Sequence, residues 1–199
     1  EQHRLACEGL RALLVMMTPL VVAGILFMEP FLAWWVAPEF AQQSTLVGQI
    51  ILLGFWVNSF SKVPYAQLQA RGRPDLVAKC HLGEVLPYFG LLYLGLSTFG
   101  LVGAAVAFSM RVLLDFVLLA GFTGILHLTL RMLLAPSLLL VMALMIATQS
   151  NPGRPEWFAM VVIQLLITMT WAWWQSPATI KKLALIWLKP LSNLLAKSK

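Results

Sequence analysis

Apolar residues run along this chain in blocks, with short polar, glycine- and proline-bearing breaks between them. The blocks cover about 12–36, 46–68, 82–99, 101–122, 132–149 and 157–175, and the breaks read APEFAQQST, RGRPDLVAKCH, STFG, GILHLTLR and NPGRPE. A hydrocarbon core about 30 Å thick takes about 20 apolar residues per helix. Each block is therefore a predicted membrane-spanning helix, and each break a turn. The predicted fold is all-α, a polytopic membrane helical bundle of about six transmembrane helices.

Two features inside the blocks refine this. Pro19, Pro64, Pro87 and Pro136 fall within or near the ends of apolar runs, where each removes a backbone donor that neighbouring groups must make good. Kinked, packed helices follow. GLVGAA, residues 100–105, opens the fourth span with small side chains that let two helix backbones approach closely.

Composition agrees with the pattern: 60% of the chain is hydrophobic and 11% charged, with a mean hydropathy of +0.82. The net charge of +6 would suggest nucleic acid in a soluble protein, but no basic and aromatic platform lies outside the apolar blocks. Its distribution says more. Arg4, Arg11, Arg71, Arg73, Lys79, Arg131, Lys181, Lys182, Lys189, Lys197 and Lys199 fall on one side of the predicted spans, against Arg154 with Glu29, Glu39 and Glu156 on the other. Cytoplasmic loops collect Lys and Arg, so both ends are expected in the cytoplasm. Trp34, Trp35, Trp157, Trp171, Trp173 and Trp174 fall near span ends, as an interfacial aromatic belt would. The tail SPATIKKLALIWLKPLSNLLAKSK, 176–199, is too basic to span and is expected to lie along the membrane surface. Cys7 and Cys80 have no paired spacing, so neither a disulfide nor zinc is expected. A start at Glu1 without a signal-peptide pattern reads as part of a longer chain.

Four charged residues remain within or close to the spans: Lys62, Glu84, Arg111 and Asp115. Such charges usually face a bundle interior or a water-filled path. Arg111 and Asp115 are one helical turn apart and able to pair. They make either a structural ion pair or a cavity-facing arginine for an anionic substrate, with Asp115 holding it or binding a coupling ion. Lys62 sits in NSFSKVPYAQLQ, where Asn58, Ser59, Ser61, Gln67 and Gln69 make the helix polar enough to line water; otherwise Lys62 snorkels toward headgroups. Glu84 follows His81 by three residues, too weak a pattern for a metal, and reads as a helix-start pair near the cytoplasmic surface. His3, His81 and His127 are widely separated with few carboxylates nearby, so no catalytic residue, metal or cofactor is expected and the chain does not read as an enzyme.

The stretch from Trp35 to Asp115 resembles the C-terminal half of bacterial oligosaccharide flippases, the O-antigen and polysaccharide transporters of the multidrug/oligosaccharidyl-lipid/polysaccharide superfamily. The likeness lies in Pro19 in the preceding helix, the outer loop APEF, a polar helix ending LQARGRPD, a helix opening HLGE, and the FGLVGAA turn before a span holding Arg and Asp. The resemblance implies the second half of a two-bundle transporter. Residues 1–124 would form its four-helix part, 125–175 a C-terminal helix pair and 176–199 the basic tail. It implies flipping of a polyprenyl-diphosphate-linked oligosaccharide across the bacterial inner membrane by alternating access. Lys62, Arg111, Asp115 and Asn58 would border the cavity, Arg71 and Arg73 the cytoplasmic mouth, with Asp115 or Glu84 as ion carriers. Lipid-linked oligosaccharide and membrane lipids are the implied partners, polysaccharide polymerase machinery is left open, and nucleic acid is not expected. A multidrug or cation exporter of the same superfamily and a non-transporting membrane scaffold are the alternatives.

Overall fold

The computed structural model describes residues 2–149, 152–178 and 181. They form five helices: α1 (Gln2–Trp35), α2 (Pro38–Ala70), α3 (Pro74–Thr123), α4 (Leu126–Gln149) and α5 (Pro155–Gln175). All five are long and apolar enough to cross a membrane. The protein is thus an all-helical, polytopic bundle, as the block pattern predicts. Most of the tail falls outside the described residues.

Six predicted spans and five helices are reconciled inside α3. A straight helix of its 50 residues would be about 75 Å long, more than twice the hydrocarbon thickness. It does not run straight: Gly100 adopts φ 59 and ψ −140, a conformation open almost only to glycine. The chain doubles back there, so that His81 lies 3.1 Å from Asp115, residues that a straight helix would hold about 51 Å apart. The first arm (74–99) and second arm (101–123) are therefore an antiparallel pair, and the predicted spans 82–99 and 101–122 fall one on each.

Near the turn the arms touch backbone to backbone. A Cβ added at Gly95 or Gly103 would collide with the main chain of the other, which is the close approach that GLVGAA foretells. Away from the turn, side chains fill the widening gap: Val77 and Cys80 of the first arm pack with Leu119 of the second and Leu68 of α2.

α1 and α2 are antiparallel. Gly9 faces Val63, Gly24 faces Leu52 and Gly48 faces Met28. Polar links between helices are placed where no water competes: Trp56 Nε1 donates to Thr18 Oγ1 at 3.1 Å, Gln49 Nε2 to the Ile25 carbonyl at 3.2 Å, and Ser109 Oγ to the Ile50 carbonyl at 3.0 Å. α4 and α5 pack on α1 and are joined by Gln164 Nε2 donating to the Leu139 carbonyl at 3.0 Å. The main core collects Leu10, Ile25, Phe60, Phe116, Leu140 and Trp157 from all five helices. Around it, Leu82, Leu86, Phe89, Leu134, Leu138 and Leu166 stay exposed, as a lipid-facing surface requires where no hydrophobic drive favours burial.

One sequence expectation changes. Trp157 belongs to the core at 2% exposure, edge-on to Phe27 and Phe158, so it is no belt residue; Trp34, Trp35, Trp173 and Trp174 are exposed as the belt reading expects. Pro19, Pro64, Pro87 and Pro136 lie inside helices, and Gly100 makes the one reversal in the helices described.

Candidate functional site

The second arm of α3 sends Arg111 and Asp115 toward the first arm and not toward each other. Arg111 Nε stands 3.7 Å from Glu84 Oε2, and Asp115 Oδ1 stands 3.1 Å from His81 Nε2. Helical spacing allows the Arg111–Asp115 pair, but antiparallel packing offers each a partner of opposite character across the hairpin, at a level fixed by the turn. Glu84 is likewise no helix-start group at a surface: it is among the most deeply buried polar residues described, at 2% exposure. A carboxylate so placed is costly without a cation beside it, and Arg111 supplies one.

Arg111 has a second neighbour. Its guanidinium carbon lies 5.3 Å from the centre of the Tyr88 ring, within cation–π range. Glu84 and Tyr88 lie one turn apart on the first arm, so together they cradle Arg111. The cradle leaves it partly open, with its side chain 37% exposed. Its terminal nitrogens have no acceptor among the described residues, so a held guanidinium presents unused donors in a fixed fork.

Those donors border a cleft between α2 and the hairpin with a volume of about 500 Å³. Asn58, Ser61, Lys62 and Tyr65 line it from α2, His81 from the first arm, and Phe108, Arg111 and Asp115 from the second. Asn58, Ser61 and Lys62 share a face because they recur at helical spacing, and that polar face is what NSFSKVPY signals in sequence. Lys62 is exposed and has no ion-pair partner among the described residues. It also borders an apolar groove against Leu5, Ala6 and Gly9, where an aliphatic stem rests favourably while the ammonium stays in polar surroundings.

The structure brings together Asn58, Lys62, Arg111 and Asp115, with Glu84 behind Arg111. It does not bring Arg71 and Arg73 into the cleft lining. They lie in the α2–α3 turn, about 14 Å along α2 from Lys62, where Arg73 Nε meets Asp75 at 3.3 Å and Lys79 meets the same carboxylate at 3.7 Å. Ser61, part of the polar run singled out in the sequence, lines the cleft with its Oγ buried and no partner among the described residues, whereas sequence reasoning missed the roles of Tyr65, His81 and Tyr88. A signal for His81 existed. The pairs His81–Asp115 and Glu84–Arg111 are nearly symmetric about the STFG turn, as partners across a hairpin must be. Among the described residues no group of His, Cys, Asp and Glu could hold a metal.

Fold and cleft together define a multi-pass helical membrane protein with a basic-lined polar cavity inside an apolar bundle. Over 112 residues the chain is 31% identical to a Shigella flexneri protein named "Putative O-antigen transporter", a match that takes in 56% of this chain and 27% of that protein. The chain thus spans little more than a quarter of the relative it matches. No family model matches the chain, and no solved structure does.

Proposed function

We propose that this chain is the C-terminal bundle of a transporter that flips a polyprenyl-diphosphate-linked oligosaccharide across a bacterial inner membrane by alternating access. The observation that carries the reading is the cleft, where Arg111 and Lys62 from two different helices border one polar cavity of about 500 Å³. A diphosphate crossing a bilayer needs cationic donors inside the protein, because shedding its hydration without them is prohibitive. Arg111 suits that role, being fixed by Glu84 and Tyr88 with donors to spare. The likeness to the Shigella flexneri protein supports a polysaccharide-related cargo. The basic residues of the α2–α3 turn and of the starts of α1 and α4 lie at one end of the bundle, which favours the cytoplasm for that end.

The exporter reading is weaker on a specific point. Both carboxylates at the cleft, Glu84 and Asp115, already face Arg111 and His81, leaving little to attract a cationic amphiphile.

The test introduces the full-length protein, with and without Arg111→Ala, into a bacterium lacking its own oligosaccharide flippase and scores surface polysaccharide. Restoration by the unaltered protein and loss in the variant, at equal membrane abundance, is the expected result. Equal restoration by both removes Arg111 from the path.

A further inference from the structure

A second basic pocket lies apart from the cleft, where the start of α1, the start of α4 and the end of α5 meet. It has a volume of about 160 Å³ and is lined by Arg11, Arg131, Trp171 and Gln175 above the apolar floor of Leu14 and Met132. We propose that it binds the phosphate of an anionic phospholipid headgroup from the leaflet at the basic end of the bundle.

Three observations point there. Two arginines from different helices border one small cavity, and neither has an ion-pair partner among the described residues; the neighbouring acidic group, Glu8, faces Arg4 instead, at 4.0 Å. Among the described residues no carboxylate lines the pocket. Like charges gathered without a counter-charge repel, and an anion between them reverses the sign of that interaction. The indole Nε1 of Trp171 is buried without an acceptor, although a buried N–H normally finds one, and Trp171 belongs to the lining. An oxyanion supplies that acceptor together with those of two guanidinium forks. The pocket holds about five waters' worth of space, enough for a tetrahedral phosphate and too little for an acyl chain.

Its place favours a lipid over a solute. The pocket lies at helix ends, level with the exposed Trp173 and Trp174, at the depth where interfacial tryptophans and phosphates share the membrane boundary. Basic pockets between transmembrane helices on the cytoplasmic side are sites of headgroup capture. The diphosphate-binding role of the cleft uses none of these residues, so this site stands or falls independently of it.

The experiment is native mass spectrometry of the full-length protein in detergent, titrated with phosphatidylglycerol, with phosphatidylcholine, and with inorganic phosphate as competitor. Expected is one phosphatidylglycerol retained per chain in preference to phosphatidylcholine. Its apparent affinity should fall about tenfold in Arg11→Gln/Arg131→Gln and by less in Arg11→Lys/Arg131→Lys, which keeps the charge without the fork. Arg4→Gln, at the same end, should leave it unchanged. Folding of each variant is checked by its melting temperature. Equal retention in the double Gln variant overturns the site, and so does an equal loss in Arg4→Gln, which would mean diffuse charge attraction. Complete displacement by millimolar inorganic phosphate assigns the pocket to a free anion and overturns the lipid.

Discussion

Arg111 Nε lies 3.7 Å from Glu84 Oε2 across the α3 hairpin, and the two side chains differ sharply in exposure, 37% against 1%. The buried member needs the pair more than the open one does. Removing Glu84 frees an arginine that water or a ligand can satisfy, whereas removing Arg111 strands a carboxylate in the bundle.

Arg111→Ala should therefore lower stability by about 3 kcal/mol, the lower end of the range for broken buried pairs, because the arginine is partly open. Adding Glu84→Gln should return most of it. Thermal melting of the full-length protein with the single and double changes checks this. If transport stays lost in the stable double variant, the arginine has a role beyond holding the hairpin.

The turn makes a sharper demand. Gly103→Ala should cost about 1–3 kcal/mol as the arms are forced apart, and Gly100→Ala about as much through its backbone conformation. Both should appear as reduced yield and an earlier melt, while Gly90→Ala, where an added Cβ meets nothing, should fold normally.

Single cysteines in a background lacking Cys7 and Cys80 report on the cleft. Residues 58 and 62 should react with a membrane-impermeant thiol reagent added from one side of the membrane, and residue 22, on the core-facing side of α1 and fully buried, should not. Protection of both cleft positions from either side would mean that no aqueous path reaches Lys62.

The interhelical links should prove modest. Gln49→Leu removes a single hydrogen bond to the Ile25 carbonyl and should cost about 0.6 kcal/mol, with about 1.7 as the upper bound for such bonds in a membrane bundle. A larger fall in denaturation free energy would mean that the longer side chain also fills space that leucine cannot.

Much of this was legible in the sequence because lipid acts as a coarse filter. Block lengths located the helices long and apolar enough to cross a membrane, the STFG turn located the reversal, and GLVGAA located the tight contact. Asn58 and Lys62 could be named because a polar run is conspicuous in an apolar helix. Partners were harder. Arg111 was read with Asp115 because helical spacing is visible along the chain, while the pairing with Glu84 depends on how two arms come into register. Gln49 and Gln164 were passed over for the same reason: their acceptors are backbone carbonyls of other helices, which leave no mark in a sequence. Trp157 was read as an interfacial residue because position along a span says nothing about which way a ring points.

The bare contact of Gly95 with Gly103 makes the α3 hairpin a pair of tweezers, closed at its tip and braced by two polar struts further along. Arg111 lies about 12 Å beyond Gly103 along the second arm and Asp115 about 18 Å. A splay of about 10° pivoting at the glycines would shift Arg111 by about 2 Å and Asp115 by about 3 Å. The strut between His81 and Asp115 would thus part before the one between Glu84 and Arg111, and any widening of the blades would begin at the basic end of the bundle.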